Sequence, residues 1–218
     1  MKALGLDKRI WLGIFFILQI FNFAFLVGAM DYSSWFHQRS TISNNYYTFR
    51  GSLLGPNSDY NICGYDDSYQ DCYDNCGSYC DQYKNWYGAG VGYVFLDTIA
   101  SIISIIIAFM LVFEFLNIKM WKRIINLFTT SILMFAIAGI HLLAFIIWAG
   151  AVKLRFDSCS HAYPFDGVKT VCGDGGAAFA LWNVFFFVFT SVPYFIVVRK
   201  IREEEAKEGK NEENLVDR

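Results

Sequence analysis

Four long runs of apolar residues alternate with polar segments along the chain. The runs cover roughly residues 10–30, 91–118, 127–152 and 176–198. A helix needs about 20 apolar residues to cross a hydrocarbon core about 30 Å thick, and each run meets that length. The pattern therefore predicts an all-α membrane protein, a four-transmembrane-helix bundle that forms a single four-pass domain over residues 1–218.

Basic residues gather where three of the polar segments adjoin the apolar runs, and cytosolic loops of membrane proteins carry such an excess of Lys and Arg. Both termini are therefore predicted to be cytosolic, with a cytosolic tail over residues 199–218 and outer loops over residues 31–90 and 153–175. The plasma membrane is the expected location, and another membrane with an oxidising far side fits the same pattern. The basic residues are Lys2, Lys8, Arg9, Lys119, Lys122, Arg123, Arg199, Lys200 and Arg202.

All six cysteines fall in the two predicted outer loops. Disulfides persist in oxidising compartments and are rare in the cytosol, so this placement supports the same topology independently. It predicts a small disulfide-bonded cap on the outer side of the bundle. The cysteines are Cys63, Cys72, Cys76, Cys80, Cys159 and Cys172.

The spacing of the cysteines leaves two pairing schemes open. Cys72, Cys76 and Cys80 are four residues apart. On a helix their β-carbons would be about 5–6 Å apart, whereas a disulfide needs about 3.8 Å. If this stretch is helical, we expect Cys63–Cys72 and two bridges from Cys76 and Cys80 to the second loop. The alternative is one bridge within the second loop together with a Cys76–Cys80 bridge.

The first outer loop also carries a recognisable order of aromatic residues and cysteines. Trp35 follows the first span, Tyr60 precedes Cys63 by three residues, and Cys72 comes after eight intervening residues. This order resembles the claudin and peripheral myelin protein superfamily, which includes auxiliary subunits of AMPA receptors and of voltage-gated calcium channels. The family hallmark is a Trp, then Gly-Leu-Trp-x-x-Cys, then a second Cys, and Tyr60 stands in place of the second Trp.

The resemblance carries expectations about fold and function. It implies a β-containing cap, with a small antiparallel sheet closed by Cys63–Cys72, and residues 45–49 have the composition of a strand. The small and aromatic residues over 175–182 look like the start of that family's fourth helix. The implied roles are an auxiliary subunit or a junctional barrier.

Three ionisable residues lie within the predicted spans, where they are costly and often functional. Asp97 lies about two turns into the second run, His141 near the middle of the third, and Glu114 near the cytosolic end of the second. Counted from the ends of the runs, Asp97 and His141 differ in depth by roughly 10 Å, so a direct pair is not expected without a shift in register or an intervening water. Glu114 is expected to reach Lys119 or Lys122.

Ten tyrosines crowd the first outer loop, and Tyr65, Tyr69 and Tyr73 repeat every four residues. Tyrosine is a favoured contact residue at protein interfaces, so these three are candidate partner contacts. The alternative is that they fill the core of a small subdomain. The loop also carries seven Asp against three basic residues, but without the spacing of an EF-hand, so we predict a solvated acidic face and no metal site.

The motif content favours a non-enzymatic function. No phosphate loop, zinc-protease motif or nucleophile elbow occurs in the sequence, so neither catalytic residues nor a cofactor are predicted. Lipid is the expected surrounding, nucleic acid is not an expected partner, and a larger membrane complex or self-association is. The leading hypothesis is a scaffold or auxiliary subunit of a channel, receptor or adhesion assembly. The alternative is a homo-oligomeric barrier or cation-selective pore.

Overall fold

The computed structural model describes residues 2–42, 45–56, 68–76, 81–117, 127–155 and 171–216. Among these residues the protein is mostly helical, and every helix except the short α2 is long and apolar enough to span a membrane. The predicted number of membrane-spanning helices is confirmed by the length and apolar composition of these helices. The helices are α1 (Lys8–Met30), α2 (Tyr69–Cys76), α3 (Asp81–Phe115), α4 (Leu127–Val152) and α5 (Gly175–Val216).

Two small sheets accompany the helices. The first pairs two short strands that precede α1, and the second has four strands in the order β4-β3-β6-β5. Strand β3 is antiparallel to both β4 and β6, while β5 and β6 are parallel. The predicted strand over residues 45–49 therefore exists and lies in β4. The strands are β1 (Lys2–Ala3), β2 (Leu6–Asp7), β3 (Phe36–Ile42), β4 (Asn45–Gly51), β5 (Leu154–Arg155) and β6 (Val171–Gly173).

Two helices extend beyond the apolar runs from which they were predicted. Helix α3 begins at Asp81, ten residues before the apolar run, because Tyr83, Trp86 and Ala89 form a buried face at helical spacing among polar neighbours. Helix α5 continues to Val216, so the tail predicted from residue 199 is helical over most of its length. Ion pairs between residues three and four apart, such as Arg199–Glu203 and Lys207–Glu204, support this extension.

The chain forms two compact units, and each of the four long helices contributes to both. The terminal unit comprises Met1–Ala24, Ala100–Gly139 and Phe185–Arg218. The sheet unit comprises Phe25–Ile99 and Ile140–Val184 and contains the four-stranded sheet and α2.

Large apolar side chains cover the outward faces of the long helices. Phe95 of α3 is 64% exposed, Phe189 of α5 is 73% exposed, and Ile17 of α1 is 55% exposed. Soluble monomers rarely expose contiguous apolar surface on this scale, whereas a lipid-facing helix requires it. The surface of the long helices thus fits an integral membrane protein.

Candidate functional site

A buried carboxylate–imidazole pair lies inside the sheet unit. His141 Nδ1 of α4 is 2.6 Å from Asp97 Oδ1 of α3, and both side chains are fully buried. The other ring nitrogen, Nε2, is 3.0 Å from the carbonyl oxygen of Ala180 in α5. One imidazole therefore connects three membrane helices through polar contacts.

The geometry fixes the number of protons that the pair holds. A carbonyl oxygen can only accept, so His141 Nε2 carries a hydrogen and donates it to Ala180. The short contact between Nδ1 and Oδ1 needs one further proton, which resides on either the ring or the carboxyl group. In both placements the pair has no net charge, which is the arrangement that a low-dielectric interior tolerates best.

The direct pair between Asp97 and His141 was not expected from the sequence. The predicted depths of Asp97 and His141 were counted from the ends of the apolar runs. Helix α3 starts ten residues before its apolar run, so the end of that run does not mark the end of the helix. Two antiparallel helices therefore need not be aligned at the ends of their apolar runs, and depths counted from those ends cannot be compared. The prediction that the two residues lie too far apart to pair is wrong.

Aromatic rings connect this pair to the sheet. The Tyr93 ring lies 5.9 Å from the His141 ring and 4.6 Å from Trp35, and its hydroxyl is 3.5 Å from His141 Nδ1. Trp35 also packs edge-on against Trp148 at 4.7 Å, and its indole nitrogen donates to the Ala29 carbonyl at 3.1 Å. Trp35, singled out in the sequence, is thus fully buried between the start of the sheet and α3 and α4.

Two glycines at the start of α5 make room for aromatic rings. A β-carbon on Gly176 would lie 2.7 Å from the Trp35 indole, and one on Gly175 would collide with Tyr32. Trp35 therefore packs against the small residues over 175–182. These two features carried separate parts of the family resemblance.

Asp174 lies between β6 and α5 and connects the four-stranded sheet with the first turn of α5. Its carboxylate accepts from the Ser34 hydroxyl at 2.6 Å and from the Gly175 amide at 2.8 Å. His37 Nδ1 and Arg50 Nε each lie 3.8 Å away. Burial alone would raise the pKa of Asp174, but the two hydrogen bonds and the two neighbouring bases together hold that pKa below its ordinary value.

The third ionisable residue, Glu114, lies in the terminal unit. It forms an ion pair with Lys8 of α1 at 2.6 Å, a partner different from the two that were predicted. Its predicted partners Lys119 and Lys122 lie outside the described residues. In the same unit, Gln19 donates to the Ser104 hydroxyl at 2.6 Å. These contacts hold α1 and α3 together.

The three candidate partner-contact tyrosines have different surroundings. Tyr69 is fully buried, stacks on Tyr83 and donates its hydroxyl to the Ser52 carbonyl at 3.2 Å. Burial raises the pKa of the Tyr69 phenol, and Tyr83 adds to the increase. Tyr69 is therefore a core residue, which is the alternative that the sequence left open for these tyrosines. Tyr73 is half-buried, with the Lys84 ammonium 5.2 Å from its ring centre, and Tyr65 lies outside the described residues.

The structure describes the side chains of two of the six cysteines. Cys72 is buried in α2, Cys172 is nearly buried in β6, and neither has a free thiol. The backbone of Cys76 ends α2, so the helix that the pairing argument assumed for three cysteines is shown for Cys72 and Cys76. Cys63, Cys80 and Cys159 lie outside the described residues, as does Tyr60 of the family motif.

Two important residues were missed in the sequence. Tyr93 precedes Asp97 by four residues and so lies on the same face of α3, a signal that was present but was not used. Asp174 stands directly before the small residues of α5, where a carboxylate caps the first turn of a helix. Among the described residues, no group of three metal-ligating side chains comes together.

No protein-family model matches this chain, and a comparison with curated proteins finds no match either.

Proposed function

We propose that this protein is a non-enzymatic integral membrane scaffold or auxiliary subunit of a larger membrane complex. In this account the plasma membrane is its location, both termini are cytosolic, and the sheet with α2 forms an extracellular cap. The helices and the cap together contact a partner such as a channel, a receptor or an adhesion assembly.

The observation that carries the proposal is the aromatic core of the sheet unit. Phe36 of β3 packs edge-on against Trp86 of α3 at 4.9 Å, and Trp35 is buried against α3 and α4. Burying such rings contributes about 1.5–3 kcal/mol each, so separating the cap from the helices would be costly. A cap held in this way presents its outer residues at fixed positions, which lowers the entropy lost on binding another protein.

The described surface of the cap suggests where a partner would bind. The half-buried Tyr73 of α2 lies against Lys84 at the start of α3, and Asp74 beside it is exposed. The loop that contains them has four more acidic than basic residues, since it carries seven Asp against three basic residues. A partner with aromatic pockets and a basic extracellular surface fits this face.

The test is to isolate the tagged protein from its own membrane in mild detergent. We expect a complex much larger than the 25.0 kDa chain, with a second membrane protein in stoichiometric amount. Tyr73→Ala should reduce the amount of that partner severalfold, whereas Tyr73→Phe, which keeps the ring, should retain it. A chain that is monomeric in its native membrane would contradict the proposal.

The disulfide framework of the cap belongs to the same proposal. In the scheme we favour, Cys63 pairs with Cys72, and Cys76 and Cys80 pair with the two cysteines of the second loop. The helix α2 disfavours a bridge between Cys72 and Cys76, because the two are too far apart on one helix to pair easily. The alternative scheme meets the same condition, so the two schemes differ only in the partners of Cys76 and Cys80. Peptide mapping under non-reducing conditions should recover peptides that join the two loops, and free thiols would contradict the scheme.

A homo-oligomeric barrier or cation-selective pore is the second candidate. The excess of acidic over basic residues in the first outer loop favours it. It predicts a different outcome of the same isolation, namely a complex that contains this chain alone. Purified protein in planar bilayers should then conduct cations, and neutralising aspartates of the loop should reduce the selectivity.

A further inference from the structure

A row of basic side chains crosses one face of the four-stranded sheet. Arg50 of β4 lies opposite His37 of β3 in the backbone register. His37 in turn lies opposite Cys172 of β6, and Cys172 lies opposite Arg155 of β5. Residues opposite one another on neighbouring strands share a face of the sheet. We call the face that carries these four residues the basic face.

The other face of the sheet packs against helices. Phe36, Phe49 and Val171 each adjoin a member of the row along the chain, so they lie on the opposite face, and all three are buried. The Phe36 ring centre lies 6.2 Å from that of Tyr69 in α2 and 4.9 Å from that of Trp86 in α3. Helix α2 and the acidic residues that it carries therefore lie on the opposite side of the sheet from the basic face.

The sheet is positively charged, although the first outer loop as a whole is acidic. The strands, with the bounds given above, contain three Arg, one His and no Asp or Glu. Asp174 directly follows β6, so three arginines less this one aspartate leave a net charge of +2 with His37 neutral. Residues 57–90 contain six Asp and one Lys, which gives them a net charge of −5. The cap therefore keeps its positive and negative charges apart.

The two arginines of the row are accessible. The Arg50 side chain is 62% exposed, and Arg155 is also exposed. Arg50 Nε lies 3.8 Å from the Asp174 carboxylate, which is longer than a hydrogen bond. That carboxylate already accepts from the Ser34 hydroxyl and the Gly175 amide. The guanidinium of Arg50 therefore keeps donors for a second carboxylate, which it can bind through two nitrogens.

We propose that the basic face binds an acidic peptide segment of the partner protein, with one carboxylate at Arg50 and a second at Arg155. Three strand spacings of about 4.8 Å separate the two arginines, or about 14 Å in all. An extended peptide rises about 3.3 Å per residue, so two acidic residues four positions apart match this separation. Asp174 beside Arg50 would repel a densely charged ligand such as a sulfated glycan, and it favours two separated carboxylates. The inference rests on the proposed function in that it requires an extracellular partner.

The test measures binding of the peptide Glu-Thr-Val-Thr-Glu, labelled with an uncharged dye, by fluorescence polarisation. The full chain is held in nanodiscs of phosphatidylcholine, and binding should weaken as salt is added. Arg50→Gln and Arg155→Gln should each weaken binding by about two- to five-fold, the range of an exposed ion pair. The two effects should multiply in the double variant, because the positions are far apart. The peptide with glutamine in place of both glutamates should bind as weakly as the double variant binds the original peptide.

Arg9→Gln is the matched control, because it removes an exposed arginine from the other end of the membrane helix α1. It should bind the peptide as the unaltered protein does. Unchanged binding in the double variant, or an equal loss in Arg9→Gln, would overturn the site. A heparin octasaccharide that binds more tightly than the peptide, and is lost in the double variant, would overturn the peptide in favour of an anionic glycan.

Isolation from the native membrane separates this inference from the proposed function. We expect the double variant to recover severalfold less of the partner protein. A double variant that loses the peptide but keeps the partner in full amount would overturn the role of the basic face in that complex, while the proposed function would stand. An unaltered protein that is monomeric in its membrane but binds the peptide would contradict the proposed function and support the site.

Discussion

At the scale of single residues, His141 forms polar contacts with two other helices. Its imidazole pairs with Asp97 of α3 and donates to the Ala180 carbonyl of α5. Removing one partner of a buried pair that shares a proton costs up to about 3–5 kcal/mol, because the other polar group remains in the interior without compensation. Either Asp97→Ala or His141→Ala should therefore lower the free energy of unfolding by roughly that amount.

The double variant distinguishes pairing from simple loss of packing. Removing both groups leaves no uncompensated charge, so Asp97→Ala/His141→Ala should cost less than the sum of the two single changes by about 0.5–3 kcal/mol. The measurement is denaturant unfolding in detergent, followed by near-ultraviolet circular dichroism. Additive losses would show that the two side chains do not share a proton in the folded protein.

Asp174 should make the stability of the sheet unit sensitive to acid. Its pKa in the folded state is lower than in the unfolded chain, where it is about 3.9. The stabilisation it contributes is therefore complete above the unfolded value and is lost as the pH falls through the lower folded value.

The variant Asp174→Asn tests whether this stabilisation is lost as the pH falls. It can keep an acceptor for the Ser34 hydroxyl but loses the charge that faces His37 and Arg50. The difference in unfolding midpoint between the protein and this variant should be present near neutral pH and should shrink in strong acid. A difference that grows on acidification would contradict the assigned direction of the pKa.

At the scale of elements, the loop after β4 lies directly on α3. The Leu53 carbonyl occupies the space that a β-carbon on Gly90 would need, and a backbone atom cannot rotate away. Gly90→Ala should therefore destabilise the protein by about 1–3 kcal/mol, the usual cost of overpacking. The melting temperature in detergent measures the effect.

Gly92 is the matched control two residues along the same helix. A β-carbon there meets no atom within 4 Å, and replacing glycine by alanine in a helix gains about 0.5–1 kcal/mol. Gly92→Ala should therefore be neutral or stabilising. Equal losses at the two positions would mean that the contact between Leu53 and Gly90 does not limit the packing.

The elements also show how far the sequence could predict the fold. The apolar runs predicted four long helices because the length that crosses a membrane leaves a clear signal. The first turns of α3 were missed because Asp81, Gln82 and Lys84 alternate with Tyr83 and Trp86, which gives a polar average to a helix with a buried face. Hydropathy averaged over a window cannot distinguish such a stretch from a loop.

The same limit applies to the candidate site. Asp97, His141 and Trp35 could be selected from residue type and position alone, since charge within a span and an aromatic residue after one are both unusual. Their meeting could not be predicted, because it depends on the relative shift of α3 and α4 and on Tyr93 between them. The burial of Tyr69 likewise depends on the sheet that covers it.

At the scale of the whole molecule, the proposed function depends on one orientation in the membrane. The cap can meet an extracellular partner only if the sheet and α2 lie outside. The basic residues at both termini and the cysteines in the two outer loops favour the same arrangement.

The most direct measurement is protease protection of tags in sealed vesicles made from the native membrane with the cytosolic face inward. One tag is inserted between β3 and β4, and one is added at each terminus. We predict that protease removes the inserted tag from intact vesicles and reaches the terminal tags only after detergent is added. Cleavage of either terminal tag in intact vesicles, or protection of the inserted one, would contradict the four-pass orientation.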